Sequence, residues 1–123
     1  MINGINSREM ILEILLEIEE GEHSHVAIRN ALSKYQFLPK QDRAFITRVC
    51  EGTLEYRIQI DYIINSFSKV TVDKMKPAIR EILRSAVYQL KYMDSVPDSA
   101  VCNEAVKLAQ RKGFYNLKPF VNG

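Results

Sequence analysis

The sequence predicts an all-α fold, and three observations support that prediction. Apolar residues recur at intervals of three and four along most of the 123 residues, which is the spacing of a buried helical face. No segment of convincing length alternates apolar and polar residues as a half-buried strand would. The length and the 46% hydrophobic content suit one packed core and exclude a disordered chain.

The first three helices follow from capping residues and apolar spacing. A helix begins after Asn6 or Ser7, either of which can serve as its N-cap, and ends at Gly21. A second helix covers Ser24–Gln36. Pro39 suits the first turn of a third helix, because the N–H that proline lacks would be unpaired there in any case.

Gly52 marks a predicted break in this third helix. The segment 53–67 continues the helical period beyond the break. Its predicted inward side chains are Leu54, Ile58, Tyr62 and Ile63. The helical pattern therefore extends through the middle of the chain without a strand.

The second half predicts two longer helices separated by a turn. Residues 66–72 form a loop, and the next helix covers Lys74–Met93 with a continuous apolar stripe. A turn at Ser95–Asp98 leads into the last long helix, which ends at Gly113. The segment Tyr115–Gly123 resembles the start of a further helix that stops in mid-pattern, so we expect the chain to be part of a longer protein.

The sequence contains no motif typical of a cofactor site, a metal site or a catalytic centre. A cofactor platform usually needs a Gly-rich turn between a strand and a helix, and five scattered glycines supply none. His23 and His25 are two positions apart and cannot share a helical face as metal ligands. Cys50 and Cys102 occupy no metal-binding spacing and are predicted to be buried core thiols. We expect no catalytic centre and no metal site.

The expected cellular location follows from the lack of a membrane span, the lack of a secretory signal and the number of cysteines. No stretch approaches the ~20 apolar residues of a membrane span, and the N-terminus lacks a secretory signal. The two cysteines are too few for a disulfide framework, so they are expected to stay reduced. The sequence predicts a cytoplasmic protein without a membrane partner.

The formal charge of +2 conceals an uneven distribution. Residues 1–22 contain one base and six glutamates, which gives −5, whereas residues 23–123 contain sixteen bases and nine acids, which gives +7. Four of these glutamates share one stripe of the first helix: Glu9, Glu13, Glu17 and Glu20. This stripe is either a solvated face or an acidic surface that faces another protein.

The bases of the second half suggest a surface for nucleic acid. At 100° per residue, the helix Lys74–Met93 places four of them within an arc of roughly 80°: Lys76, Arg80, Arg84 and Lys91. Such a row of cations can contact successive phosphates of a nucleic-acid backbone. The next helix adds Lys107, Arg111 and Lys112. Four aromatic residues lie close in sequence and could stack on unpaired bases, or belong to the core or its rim: Tyr88, Tyr92, Phe114 and Tyr115.

Three stretches, in this order, are similar to the NusB-like family. Residues 42–54, DRAFITRVCEGTL, open with Asp-Arg and end with Gly-Thr-Leu. Residues 83–97, LRSAVYQLKYMDSVP, contain Leu-Arg, Tyr-Gln-Leu and Val-Pro, and NEAVKLA at 103–109 precedes a closing Phe-Val-Asn. The resemblance implies a NusB-like helical bundle of about six to seven helices, forming one RNA-binding domain over 1–123 with a truncated C-terminal end.

This family occurs as a free-standing antitermination factor, which binds RNA with a ribosomal protein, and as the N-terminal RNA-binding domain of 16S rRNA cytosine-C5 methyltransferases. Residues 52–64, GTLEYRIQIDYII, resemble the methyltransferase version, in which an aromatic residue and an arginine follow Gly-Thr-Leu. That resemblance implies rRNA as the partner and S-adenosylmethionine as the cofactor of a catalytic half beyond Gly123. The free factor and a protein-interaction or homodimerisation module remain alternatives.

The resemblance also assigns individual residues. Arg8 and Arg84 correspond to RNA-facing positions of the family. The free factor carries an arginine-rich N-terminus, whereas this chain has only Arg8 before its glutamate stripe. The sequence therefore departs from the family where the free factor contacts RNA.

Two polar pairs are predicted to be structural. The pairs Asp42–Arg43 and Asn103–Glu104 can tie helices together through charge-assisted hydrogen bonds. One specific hypothesis is an ion pair between Arg43 and Glu104. It would join the third helix to the last long one.

Overall fold

The computed structural model describes residues 6–113, which form six α-helices. The helices are α1 (Ser7–Glu19), α2 (Ser24–Lys34), α3 (Lys40–Glu55), α4 (Arg57–Phe67), α5 (Pro77–Tyr92) and α6 (Asp98–Arg111), with a short 3₁₀ helix, Val72–Lys74, before α5. Within this range there is no strand, and the predicted all-α class is confirmed. The predicted helix start at 115–123 lies outside the described residues.

Helix α5 lies at the centre of the bundle. It packs against α1, α3, α4 and α6. Contact on so many sides buries polar as well as apolar side chains of α5, including Glu81, Arg84 and Gln89. Buried polar groups need hydrogen-bond partners within the protein, so the surroundings of α5 must supply them.

The core is built mainly from α1, α3, α5 and α6. Five consecutive or near-consecutive residues of α1 are buried: Met10, Ile11, Leu12, Ile14 and Leu15. Cys50 of α3 is fully buried among them, and burial raises the pKa of its thiol. The predicted core position is confirmed for Cys50, whereas Cys102 is only half-buried because it lies beside the inward face of α6.

The ends of α1 are fixed by local chemistry. The side chain of Asn6 accepts a hydrogen bond from the backbone N–H of Glu9 at 2.7 Å, which confirms Asn6 as the N-cap. Gly21 follows the helix with φ at 117°, a left-handed conformation that glycine adopts without steric cost. Both predicted boundaries therefore have a physical cause in the structure.

None of the helices between residues 6 and 113 is long and apolar enough to cross a bilayer.

The predicted inward face of α4 is wrong. Ile58 and Tyr62 are 89% and 74% exposed, whereas Ile60 and Ile64 are buried. The reason is the position of the break: α3 continues to Glu55, and the chain leaves regular helical geometry at Tyr56, with φ −101° and ψ 22°. Helix α4 therefore starts with a new phase and presents a different stripe to the core.

Gly52 lies inside α3 and is a packing residue instead of a break. Its backbone lies directly against the ring of Tyr88 on α5, and a Cβ atom built at this position would overlap the ring carbons and the hydroxyl. The absence of a side chain therefore permits the close approach of α3 and α5. Tyr88 fills the space and is itself buried.

Replacing Gly52 with alanine should destabilise the protein by about 1–3 kcal/mol, because the added methyl group overlaps a ring in a packed interface. The gain of about 1 kcal/mol in helix propensity offsets part of this cost. Urea unfolding followed by circular dichroism measures the change. In a Tyr88→Leu background the same substitution should cost much less, and equal costs in the two backgrounds would contradict the steric explanation.

Candidate nucleic-acid interface

The structure separates the eight predicted RNA-binding residues by burial and by partners. Arg8 is half-buried at the start of α1, Lys76 and Lys91 are exposed at the two ends of α5, and Lys107, Arg111 and Lys112 are exposed at the end of α6. Arg84 is buried, and the side chain of Arg80 is only 15% exposed. The predicted ridge on α5 is therefore not a continuous surface.

Arg84 is the clearest departure from the prediction. Its Nε and Nη2 groups donate to the two carboxylate oxygens of Asp61 on α4, at 2.8 Å each, and its Nη1 group donates to Glu81 at 2.6 Å. The Arg84 side chain is 6% exposed. Arg84 therefore joins α4 to α5, and these carboxylates engage its guanidinium inside the protein instead of at an exposed surface.

The ionisation of this group follows from burial and from the ion pairs. Burial raises the pKa of Glu81 above its ordinary value of 4.5, although the charge of Arg84 acts in the opposite direction. Burial by itself lowers the pKa of Arg84, but the hydrogen bonds and charges of Asp61 and Glu81 raise it overall. Glu81 thus depends on Arg84 to remain charged in the core.

Arg80 is also engaged in the fold. Its Nη1 group donates to the backbone carbonyls of Val72 at 3.0 Å and Met75 at 3.1 Å, and its guanidinium pairs with Glu19 of α1. The side chain holds the 3₁₀ segment against α5 and α1. These partners engage the guanidinium within the fold, so Arg80 does not extend the exposed cations of α5.

Arg43 does not form the predicted pair with Glu104. Its Nη1 group donates to the carbonyls of Leu32 at 3.0 Å and Tyr35 at 3.2 Å, at the end of α2. The last carbonyls of a helix have no partner within the helix, so they attract a nearby guanidinium. Glu104 lies 3.6 Å from the Nζ atom of Lys107 on its own helix. The hypothesis of an Arg43–Glu104 link is wrong.

The remaining members of the two polar pairs have simpler positions. Asp42 is half-buried in the first turn of α3, where a carboxylate interacts favourably with the helix dipole. Asn103 is exposed on α6 and does not lie between two helices. The two pairs therefore do not join α3 to α6.

Arg8 is held in one orientation at the start of α1. Its Nε group donates to the side-chain oxygen of Gln89 at 3.1 Å, and its guanidinium carbon lies 5.2 Å from the centroid of the Phe45 ring. Burial lowers the pKa of Arg8, and the charge of Glu104 opposes that shift. Arg8 thus contacts α3 and α5 and remains partly exposed.

Two exposed cations of α6 are linked to Arg8 through acidic neighbours, and Lys112 directly follows Arg111 in the chain. Arg111 is 3.8 Å from Glu9, the neighbour of Arg8 on α1, and Lys107 pairs with Glu104, which also interacts with Arg8. Such exposed ion pairs contribute about 0–1 kcal/mol, so a phosphate can replace them at little cost. We call the surface formed by Arg8, Lys107, Arg111 and Lys112 the α1–α6 edge.

A second group of interest is a tyrosine cluster formed by Tyr56, Tyr88 and Tyr92. The ring centroids of Tyr56 and Tyr92 are 4.4 Å apart, and those of Tyr88 and Tyr92 are 5.3 Å apart. Loss of hydration and the neighbouring tyrosines raise the pKa of Tyr92. Sequence reasoning singled out Tyr88 and Tyr92 but missed Tyr56, because a residue at a helix junction has no periodic signal.

The other predicted candidates add little to the site. Phe114 and Tyr115 lie outside the described residues. His23 and His25 are exposed, with ring centroids 6.1 Å apart. In the range 6–113, no three His, Cys, Asp or Glu side chains are grouped so as to hold a metal ion.

Comparison with known proteins identifies one family. The NusB family model matches residues 5–123. The probable ribosomal RNA small subunit methyltransferase B of Bacillus subtilis is 32% identical over 94% of this chain, and this chain spans 26% of that relative. The transcription antitermination protein NusB of Bacillus velezensis is 33% identical over 95% of this chain, and 88% of that protein is covered.

The fold is also found in solved structures. A structure of the antitermination factors NusB and NusE in complex with double-stranded RNA matches with a TM-score of 0.82. The alignment covers 95% of this chain and 88% of that chain, at 19% sequence identity. A likeness at this level of identity shows that the two chains share a fold.

Replacing Arg84 with methionine should reduce the free energy of unfolding by about 3–5 kcal/mol at pH 7, because Glu81 loses the partner that compensates its buried charge. The pKa of Glu81 is already raised, and it rises further without Arg84. The variant should therefore regain part of its stability as the pH falls from 7 towards 4.5, since only the folded state binds the proton there.

Urea unfolding of both proteins at several pH values tests this expectation. Adding Glu81→Gln to the Arg84→Met variant should remove the pH-dependent part, because glutamine does not titrate. A loss below 1 kcal/mol, or a loss that does not vary with pH, would contradict the proposed dependence of Glu81 on Arg84.

Proposed function

The chain belongs to the NusB family, and we propose that it is the RNA-binding domain of an rRNA methyltransferase, holding 16S rRNA while a separate domain methylates a cytosine at C5. The observation that supports RNA binding most strongly is the α1–α6 edge, where the exposed Lys107 and Arg111 pair with acidic neighbours of Arg8. The similarity of the chain to the probable ribosomal RNA small subunit methyltransferase B of Bacillus subtilis supports rRNA as the ligand and methylation as the reaction. This function would place the chain in the cytoplasm.

The α1–α6 edge would bind the phosphate backbone. Arg8 presents a guanidinium in a fixed orientation, because Gln89 and Phe45 hold it from the protein side. Lys107 and Arg111 would exchange their weak ion pairs for phosphates and release counterions from the RNA. Contacts of this kind position an RNA without reading its sequence.

S-adenosylmethionine does not fit the residues of this chain that the structure describes. Residues 6–113 form helices and contain no strand followed by a Gly-rich turn, which is the usual platform for such a cofactor. In the proposed protein the methyl donor would belong to the catalytic domain. The role of the described residues would be to bind and orient the RNA.

Binding of RNA should depend on the α1–α6 edge and on salt. We expect fluorescence anisotropy with a labelled 16S rRNA fragment to show binding at 50 mM salt that weakens strongly at 200 mM. A triple variant, Lys107→Glu, Arg111→Glu and Lys112→Glu, should bind the RNA more weakly. A plot of the logarithm of affinity against the logarithm of salt concentration should become less steep, by about one for each phosphate contact removed.

A second triple variant provides a matched control. Arg29→Glu, Lys34→Glu and Lys69→Glu alter exposed cations on α2 and before α5 and produce the same change in net charge. It should retain most of the affinity. Equal losses in the two variants, or no binding by the unaltered protein at 50 mM salt, would overturn the proposed RNA-binding surface.

A free-standing antitermination factor is the second candidate function. The NusB protein of Bacillus velezensis supports it, because this chain matches most of that protein's length. The exposed Glu13 and Glu17 of α1, with Glu20 just after its last turn, would suit a basic ribosomal protein. A homodimer through the same helix bundle is a further alternative, which light scattering would detect.

The two candidates differ in their need for a partner. If this is a methyltransferase domain, we expect its affinity for 16S rRNA to be the same with and without an added ribosomal protein. An affinity that rises at least tenfold when the ribosomal protein is present would favour the antitermination factor. The same anisotropy assay measures both cases.

A further inference from the structure

The tyrosine cluster combines near-parallel rings with a solvent-accessible side. The planes of Tyr56 and Tyr92 differ by 18°, and those of Tyr88 and Tyr92 by 27°. Tyr88 is buried, Tyr92 is half-buried and Tyr56 is 37% exposed. The cluster therefore extends from the core to the surface, with Tyr56 as its outermost ring.

The cluster is held firmly by its surroundings. Tyr88 lies against the backbone of Gly52, which fixes the inner ring. The hydroxyl of Tyr92 donates to the side-chain oxygen of Gln59, and the backbone N–H of Tyr56 donates to the carbonyl of Gly52 at 3.0 Å. An aromatic surface that is already ordered loses little conformational entropy when a ligand stacks on it.

Cations flank the cluster. The Nζ atom of Lys91 lies 5.7 Å from the centroid of the Tyr92 ring. The Nη2 group of the exposed Arg48 donates to the backbone carbonyl of Tyr92 at 3.1 Å. Aromatic faces with adjacent Lys and Arg are the combination that proteins use for single-stranded nucleic acids.

An open cleft begins at the same place. It has a volume of about 760 Å³, and Tyr88 and Gly52 form part of its wall. Lys40, Arg43 and Arg48 contribute positive charge to it, and Glu51 and Glu55 contribute negative charge. The volume lies in the range of about 300–1,000 Å³ that is typical of small-ligand sites, which is enough for a nucleotide.

We propose that the tyrosine cluster and this cleft form a subsite for an unpaired base of single-stranded RNA. The base stacks on the outer face of Tyr56, and Lys91 and Arg48 lie where the adjoining phosphates pass. The inference rests on the proposed RNA-binding function and deepens it. The subsite shares no residue with the α1–α6 edge, so the two can be tested separately.

The test compares two substitutions of the outermost ring. Tyr56→Leu removes the aromatic face and keeps an apolar side chain, whereas Tyr56→Phe keeps the ring. The probes are a single-stranded 12-nucleotide segment of 16S rRNA and the same segment in a duplex. Tyr56→Leu should weaken binding of the single strand by roughly five- to hundredfold and leave the affinity for the duplex unchanged. The affinity of Tyr56→Phe for the single strand should stay within about twofold of that of the unaltered protein.

A second variant and a second signal guard against loss of folding. Lys91→Glu leaves the rings in place and should weaken single-strand binding by roughly two- to tenfold, with a smaller salt dependence. The chain has six tyrosines and no tryptophan, so quenching of tyrosine fluorescence reports stacking directly. The quenching by the single strand should decrease in Tyr56→Leu.

Four results would overturn the inference. If the α1–α6 triple variant loses affinity while Tyr56→Leu and Lys91→Glu do not, the subsite is absent and the proposed function stands. If Tyr56→Leu only lowers the melting temperature, the cluster is structural. If it abolishes binding of a ribosomal protein and not of RNA, the surface recognises protein. Failure of the unaltered protein to bind either probe would reject both proposals.

Discussion

The ion pair between Arg84 and Asp61 joins α4 to α5, and α1, α3 and α6 also pack against α5. The polar side chains on the inner part of α5 can be buried because each has a partner. Arg84 pairs with Glu81 and with Asp61 of α4, and Gln89 accepts a hydrogen bond from Arg8 of α1. A buried ion pair adds little net stability, but a buried charge without its partner is costly. The arrangement of the bundle is therefore coupled to the completeness of this small polar group.

The same chemistry recurs at the ends of helices. Arg43 occupies the last carbonyls of α2, and Arg80 occupies carbonyls of the segment before α5. Several of the seventeen basic residues are thus part of the structural framework. The accessible cations at the α1–α6 edge and those beside the tyrosine cluster lie on two distinct surfaces.

Continuous periodicity made α1, α5 and α6 predictable from the sequence, and Asn6 and Gly21 marked both ends of α1. The phase of α4 was not predictable, because the break at Tyr56 has no glycine or proline to mark it. Arg80 and Arg84 looked like surface cations because Glu19 and Asp61, which pair with them from other helices, are 61 and 23 positions away in the chain. A helical projection shows the angle of a side chain and not the charge that faces it from another helix.

The two thiols give this protein a built-in chemical reporter of its own motions. Cys50 is enclosed by the core, and burial disfavours its reactive thiolate form, whereas Cys102 is half-buried at the rim of α6. An alkylating reagent can reach Cys50 only when α3 separates from its neighbours. The rate at which Cys50 is alkylated therefore measures the opening of the bundle under native conditions, without a denaturant and without an introduced cysteine.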